Sequence, residues 1–165
     1  PQYRLTRHNI GQRILENLVA GSDIGLAKNP QNWKKKFNGH WAQHNSLRLL
    51  VPETFMNKCG SSVQAFANFF SLSPEQLLLI HDDLELPFGD VQLKKGGGLA
   101  GHNGLKSIAT HLSSREFYRL RVGIGRPPRG DVSKFVLERF NQQEEAELDD
   151  IIAEAIQQIL NPKDL

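Results

Sequence analysis

Apolar residues recur at helical spacing in several stretches of the chain. In "HNIGQRILENLVA", residues 8–20, Ile10, Ile14, Leu15 and Leu18 fall on one stripe, so a helix is predicted, with Asn9 as its cap and Gly21 as its stop. In "GSSVQAFANFFSL", residues 60–72, Val63, Phe66, Ala67 and Phe70 form a second stripe, and their aromatics are expected in the core. "EEAELDDIIAEAIQQIL", residues 144–160, is amphipathic, with its acids gathered near the N-terminus as the helix dipole favours. "DVSKFVLERF" reads as a short helix capped by Asp131, and "GLAGHNGLKSIATHL" opens a helix after its glycines. Other segments read as strands: "FNGHWAQHN", "LRLLV", "EQLLLIHDD", "VQLKK" and "YRLRVGIG". "LPFGD" is a turn, and residues 21–38, rich in Asn, Gly, Lys and Pro, read as a loop.

Strands and helices alternate, which predicts an α/β fold with a mostly parallel, mixed central sheet flanked by helices on both faces. A length of 165 residues suits a single domain spanning 1–165 with one core. Ligands in such folds sit beyond the carboxyl ends of the strands. His81, Asp82, Asp83, the glycine loop and Arg126 all fall at such ends.

Composition narrows the setting. No run of about 18 apolar residues occurs, so no membrane span is expected. The opening "PQYRLTRHNIG" has no apolar core of a signal peptide. Cys59 is the only cysteine, which excludes a disulfide framework or a cysteine zinc site and fits a reducing cytoplasm. Net charge is +2, but residues 1–141 carry 19 Lys and Arg against 11 Asp and Glu, while residues 142–165 carry one lysine against seven acids. A basic body fits a polyanionic partner such as nucleic acid, or is simply a solvated surface. The same two readings apply to "WKKKF" at 33–37.

The stretch "KKGGGLAGHNGLKS", residues 94–107, carries the densest candidate chemistry. It lacks the Gly-Lys-Ser/Thr of a P-loop and the spacing of a dinucleotide fingerprint. A glycine loop entering a helix beside Lys94 and Lys95 can hold a phosphate or an ester oxyanion, or can be a tight strand-to-helix turn. The six histidines show no metalloprotease spacing, and "HDD" lacks the further ligands of a metal phosphohydrolase, so no metal is expected. "TRHN", "TFMN", "HDDLELPFG" and "GHNG" bring His8, Asn57, Asp82, His102 and Asn103 into the candidate set. An Asp and a His distant in sequence can pair in space as a general base, and asparagine amides can bind a carbonyl or stabilise an oxyanion. No nucleophile motif such as Gly-x-Ser-x-Gly occurs, which favours direct attack by water.

These motifs together resemble the bacterial-type peptidyl-tRNA hydrolase family. "YRLTRHNIG", "LLVPETFMNKCG", "LLLIHDDLELPFGDVQLKKGGGLAGHNGLKSI" and "FYRLRVGIGRP" match its signature segments in order, and the likeness runs from Tyr3 to about residue 160, weakest over 21–45. The resemblance implies a metal-free, cofactor-free enzyme, monomeric and cytoplasmic, that hydrolyses the ester between a nascent peptide and the 3′ ribose of tRNA. It implies that His8 is the general base and that Asp82 orients it. Asn57, Asn103, His102 and Tyr3 would bind the substrate, and Lys94 and Arg121 would grip the tRNA phosphate.

The family begins with an apolar strand and a Gly-Asn-Pro-Gly-like turn, so this sequence is expected to lack that strand and the last residues of the family's tail. Leu99 and Ala100 stand where the family often has His or Gly, which would alter the loop's shape. Two other classes compete: a non-catalytic RNA-binding relative, free to lose His8, Asp82, Asn57 and Asn103, and a small-molecule esterase or amidase, which would need no phosphate grip and would show no salt dependence.

Overall fold

The computed structural model describes residues 3–20, 33–44, 47–127 and 129–161. The expected stop at Gly21 and most of the expected loop before Trp33 lie outside the described residues. The chain divides into two compact units: Pro1–Asn17, Leu78–Lys95 and Tyr118–Leu165 form the first; Leu18–Leu77 and Gly96–Phe117 form the second.

The first unit is built on a three-stranded mixed sheet. Its strands are β4 (Leu78–Asp83), β5 (Val91–Lys95) and β6 (Tyr118–Gly123), in the order β4-β6-β5. β4 and β6 run parallel, with Ile80 beside Leu120 and Asp82 beside Val122. β5 returns antiparallel to β6, with Val91 beside Val122 and Lys94 beside Arg119. Alternation gives the sheet two different faces. Leu120 and Val122 point into a core shared with Ile10 and Ile14 of α1 (Ile10–Ala20) and with Leu148, Ile151, Ile152 and Ala155 of α5 (Gln142–Leu160). His81, Asp83, Arg119 and Arg121 take the opposite positions.

α1 lies close to β4 because residue 11 is glycine. A Cβ there would stand 2.3 Å from the Ile80 carbonyl oxygen, inside any tolerable contact. α5 starts at a capping box: the Asn141 side chain accepts from Gln143 N and Glu144 N at 2.9 Å each, and Glu144 reaches back to Asn141 N at 2.7 Å. The short helix α4 (Val132–Val136) is capped as expected, Asp131 accepting from Ser133 N at 2.8 Å.

The second unit pairs a three-stranded antiparallel sheet, β1 (Lys34–Lys36), β2 (Gly39–His44) and β3 (Leu47–Pro52), with helices α2 (Cys59–Phe69) and α3 (Asn103–Leu112). Ser107 of α3 accepts from Gly60 N of α2 at 3.0 Å, where a Cβ on Gly60 would clash with the Ser107 carbonyl.

The α/β class expected from the alternating pattern is the one adopted, and the mixed sheet is present. Its parallel share among the described residues is one pair, β4–β6, because β5 follows β4 through a turn too short for a parallel crossover. Two local expectations are corrected. Lys34–Lys36, read as loop, is an edge strand; pairing with β2 outweighs lysine's weak strand preference, and lysine is tolerated at a sheet edge. Asn9 does not cap α1: it sits in a 3-10 turn, Arg7–Asn9, and its amide donates to the Tyr3 carbonyl at 2.8 Å.

Candidate active site

In the first unit the structure brings His8 and Asp82 together. The His8 Nδ1 lies 2.8 Å from Asp82 Oδ1, with the carboxylate side chain 2% exposed and the imidazole 14%. Asp82 reaches His8 because it shares a face of β4 with Ile80, and Ile80 lies under Gly11 at the start of α1. With an ionised carboxylate as acceptor, Nδ1 carries the proton and donates, which leaves Nε2 as the basic nitrogen. The neighbouring His81 is not part of this pair: its Nδ1 donates to the Asp82 carbonyl at 2.7 Å, from the opposite face.

The turn bearing His8 is held by residues that sequence reasoning passed over. Arg7 is buried; its Nη2 donates to Glu144 Oε2 at 2.6 Å and its Nη1 to the Arg139 carbonyl at 2.8 Å. Its guanidinium carbon stands 4.2 Å from the centre of the Phe135 ring. The Arg7 N–H also donates to the Glu138 carbonyl at 3.0 Å, and Thr6 bridges to Arg139. The segment just before His8 is thus strapped to the α4–α5 connection. The only sequence signal was an arginine beside a candidate histidine. Tyr3, expected at the substrate, has an exposed side chain, and its carbonyl accepts from the Thr6 hydroxyl and from Asn9.

The other face of the same sheet is a cationic surface with a buried anion. Arg121 Nε donates to Asp83 Oδ2 at 2.7 Å, and its Nη1 lies 3.5 Å from Gln92 Oε1. Burial alone would push the Asp83 carboxyl up, but the Arg121 hydrogen bond, the Glu85 N–H and the nearby positive charges hold it below the ordinary carboxylate range. Arg119, also buried, is shifted down by desolvation and by the charge of Arg121, with Asp83 opposing. Lys94 is exposed and stands opposite Arg119 in the ladder, one diagonal step from Arg121, a separation of roughly 7–8 Å. Lys94 and Arg121 therefore share a face, and Asp83 is a partner that sequence reasoning missed. The signal was present in the alternation of "HDD", which sends Asp82 and Asp83 to opposite sides. Arg126, at the expected strand end, is paired with Glu85.

The second unit holds the remaining candidates. Asn57 is exposed in the 3-10 turn Met56–Lys58, immediately before α2. Asn103 is the first residue of α3 and is exposed. His102 caps that helix, its Nδ1 accepting from Leu105 N at 3.2 Å, which places the imidazole proton on Nε2. The two segments are joined: Cys59 Sγ contacts the Gly104 carbonyl at 3.6 Å, and a Cβ on Gly104 would meet Met56 Sδ. Asn57 and Asn103 thus stand exposed at adjoining helix starts. The glycine loop before Asn103 turns through left-handed backbone at Gly96, Gly97, Ala100 and Gly101. Cys59 is buried, and burial pushes its thiol up to about 11, which leaves it inert at neutral pH.

Comparison with known proteins points one way. A family model described as peptidyl-tRNA hydrolase matches residues 1–162. A peptidyl-tRNA hydrolase of Geotalea daltonii is 47% identical over 153 residues, covering 90% of this chain and 76% of that protein. One from Coxiella burnetii is 47% identical over 137 residues, covering 82% of this chain and 71% of that protein. The crystal structure of peptidyl-tRNA hydrolase from Acinetobacter baumannii superimposes with a TM-score of 0.81 at 36% identity, covering 96% of this chain and 81% of that one.

Proposed function

Because the chain belongs to the peptidyl-tRNA hydrolase family, its reaction is hydrolysis of the ester between peptide and tRNA, and we propose that His8 and Asp82 carry the chemistry. The supporting observation is the 2.8 Å contact between an imidazole near solvent and a carboxylate buried beneath it. His8 Nε2 takes a proton from water as the water oxygen attacks the ester carbonyl carbon. Asp82 fixes the tautomer and stabilises the imidazolium that forms. The tetrahedral adduct collapses by breaking the bond to the ribose 3′ oxygen. The imidazolium returns its proton to that oxygen, releasing free tRNA and a peptide carboxylic acid, which loses its remaining proton to solvent.

The exposure of both asparagines supports the binding roles that the family resemblance implies. Asn57 and Asn103 hold the peptide backbone and the ester oxygen, His102 donates from Nε2, and Tyr3 lends its exposed ring. Lys94 and Arg121 bind a tRNA phosphate. Their shared face and diagonal placement suit one phosphate between two cations, with Asp83 orienting the guanidinium. The enzyme acts without a metal or cofactor, as a cytoplasmic monomer. A reducing compartment accords with a free, buried Cys59, and no helix among the described residues is long and apolar enough to cross a membrane.

The test is release of free peptide from an N-blocked aminoacyl-tRNA, with and without a chelator. Cleavage that survives the chelator and is lost in His8→Ala, with tRNA binding retained, supports the reading. Cleavage undiminished in His8→Ala removes His8 from the base role. A small-ester hydrolase would show no dependence of KM on salt, whereas a phosphate grip weakens as salt rises.

A further inference from the structure

We propose that Lys34, Lys36 and Arg48 of the second unit form an additional contact surface for RNA phosphates, separate from the phosphate role of Lys94 and Arg121. The choice of RNA rests on the reading above that the substrate is a tRNA; the surface itself rests on the geometry of one hairpin and its aromatic support.

Three consecutive lysines make up the edge strand β1, and all three are exposed. Alternation divides them. Lys34 and Lys36 extend to the face of the sheet that carries Trp41, and Lys35 extends to the other. Lys35 is opposed by a carboxylate, Glu53, at 3.8 Å, and the same Glu53 is shared with His40 at 3.2 Å. Lys34 and Lys36 are held differently. Lys36 Nζ lies 3.5 Å from the centre of the Phe69 ring and 5.1 Å from that of Phe37, and Lys34 Nζ lies 5.4 Å from Trp41. Across the sheet, the Arg48 guanidinium carbon stands 4.7 Å from the Phe70 ring. No carboxylate pairs with these three cations among the described residues.

The difference matters. An aromatic face positions a cation without neutralising it, whereas a carboxylate cancels its charge. The rings are themselves fixed: Phe37 meets Phe66 at 5.5 Å and Phe69 at 5.3 Å, Trp41 meets Phe70 at 5.0 Å, and Phe69 meets Phe70 at 4.9 Å. The hairpin tip is fixed too. Phe37 and Asn38 both adopt left-handed backbone, with φ of 59° and 52°, as a two-residue turn requires. That conformation is unfavourable for a bulky aromatic, and it is retained because the Phe37 ring enters the cluster and its carbonyl accepts from the Ser62 hydroxyl. Phe69 remains 56% exposed beneath Lys36. The result is a set of fixed, uncancelled positive charges on one face, which suits a polyanion with regularly spaced phosphates.

The test measures binding of deacylated tRNA by fluorescence anisotropy over a range of potassium chloride, using wild type, K34Q/K36Q and K35Q. Each lost phosphate contact lowers the slope of log affinity against log salt by about 0.7–0.9. The double variant should therefore lower the slope by roughly 1.5, whereas K35Q should change it by less than about half a unit. Thermal midpoints should fall by no more than a few degrees in K34Q/K36Q, since each exposed cation–π contact is worth about 0.5–1 kcal/mol, and the variants should remain folded at the assay temperature. An unchanged slope in K34Q/K36Q overturns the proposal. So does a K35Q effect half as large as that of the double variant, which would reflect net charge alone. A loss of binding to phosphatidylserine vesicles with tRNA binding intact also overturns it, in favour of a membrane. Peptide release by wild type, measured in parallel, keeps the two readings distinct. A hydrolysing enzyme with an unchanged slope loses only this surface. A lowered slope without hydrolysis keeps the surface and removes the proposed function.

Discussion

Replacing Asp82 by asparagine tests the proposed base most directly, because it removes one charge and almost no volume. The carboxylate is 2% exposed and 2.8 Å from His8 Nδ1. When His8 takes the water proton, the transition state gains an imidazolium beside that carboxylate. Unit charges about 4 Å apart attract by about 4 kcal/mol at an effective dielectric of 20. At about 1.36 kcal/mol per tenfold change, that is close to a thousandfold in rate. The amide brings a second loss: if its NH2 faces His8, the ring must accept at Nδ1, and Nε2 then carries the proton and cannot act as a base. Asp82→Asn should therefore lower kcat by about 10³, with KM changed by less than about threefold, since only a transition-state interaction is removed. The assay is single-turnover release of N-acetylated amino acid from tRNA at saturating enzyme, with circular dichroism to establish folding. A folded variant with kcat within tenfold of wild type would refute the role given to Asp82.

Three further predictions concern the scaffold around that pair. Arg7→Met strips Glu144 of its buried partner and should cost about 3 kcal/mol, a fall of roughly 6–12 °C in thermal midpoint for a chain of this size; a shift under about 2 °C would show that the strap is dispensable. Gly11→Ala would ordinarily stabilise a helix by up to about 1 kcal/mol, but here the new methyl would stand 2.3 Å from the Ile80 carbonyl oxygen. It should instead destabilise by about 1–3 kcal/mol and slow turnover by displacing His8; a raised midpoint would contradict the close approach. Asp83 is held below the ordinary carboxylate range in the folded state, so its contribution is complete above the unfolded value of about 3.9 and is lost as pH falls through the folded value. Asp83→Asn should flatten the stability–pH curve below about pH 4, and a curve parallel to wild type would remove Asp83 from acid unfolding.

The elements legible in the sequence were those whose pattern is local. "VQLKK" is β5 to the residue, and the acidic amphipathic segment is α5. The pairing of His8 with Asp82 was readable only as a possibility, since the two are 74 residues apart and nothing local sets their distance. Resemblance to a family supplied that pair, and geometry gave its face and its burial. Lys34–Lys36 was not legible as a strand, because its pairing with β2 depends on a turn whose first residue, Phe37, is a poor left-handed former held there by distant rings. Arg7 was missed for a related reason. A buried arginine is decided by its partners, and Glu144 and Phe135 lie far along the chain.

The alternation of one short strand organises the first unit. β4 ends in His81, Asp82 and Asp83, and the three successive side chains leave on opposite faces. Asp82 faces α1, where the absence of a Cβ at Gly11 allows the helix, and His8 before it, to come within hydrogen-bond reach. Asp83 faces the other way and takes Arg121 at 2.7 Å, with Arg119 buried beside it and Lys94 across the ladder. Neither carboxylate could exchange roles with the other. A shift of one residue in the register of β4 that placed Asp83 beneath His8 would turn Asp82 to the cationic face and put Leu84 where Asp83 now meets Arg121. The close contact at Gly11 and the ladder with β6 both resist that shift, so the features that fix the strand also keep the His8–Asp82 pair and the cationic face on opposite sides of one sheet.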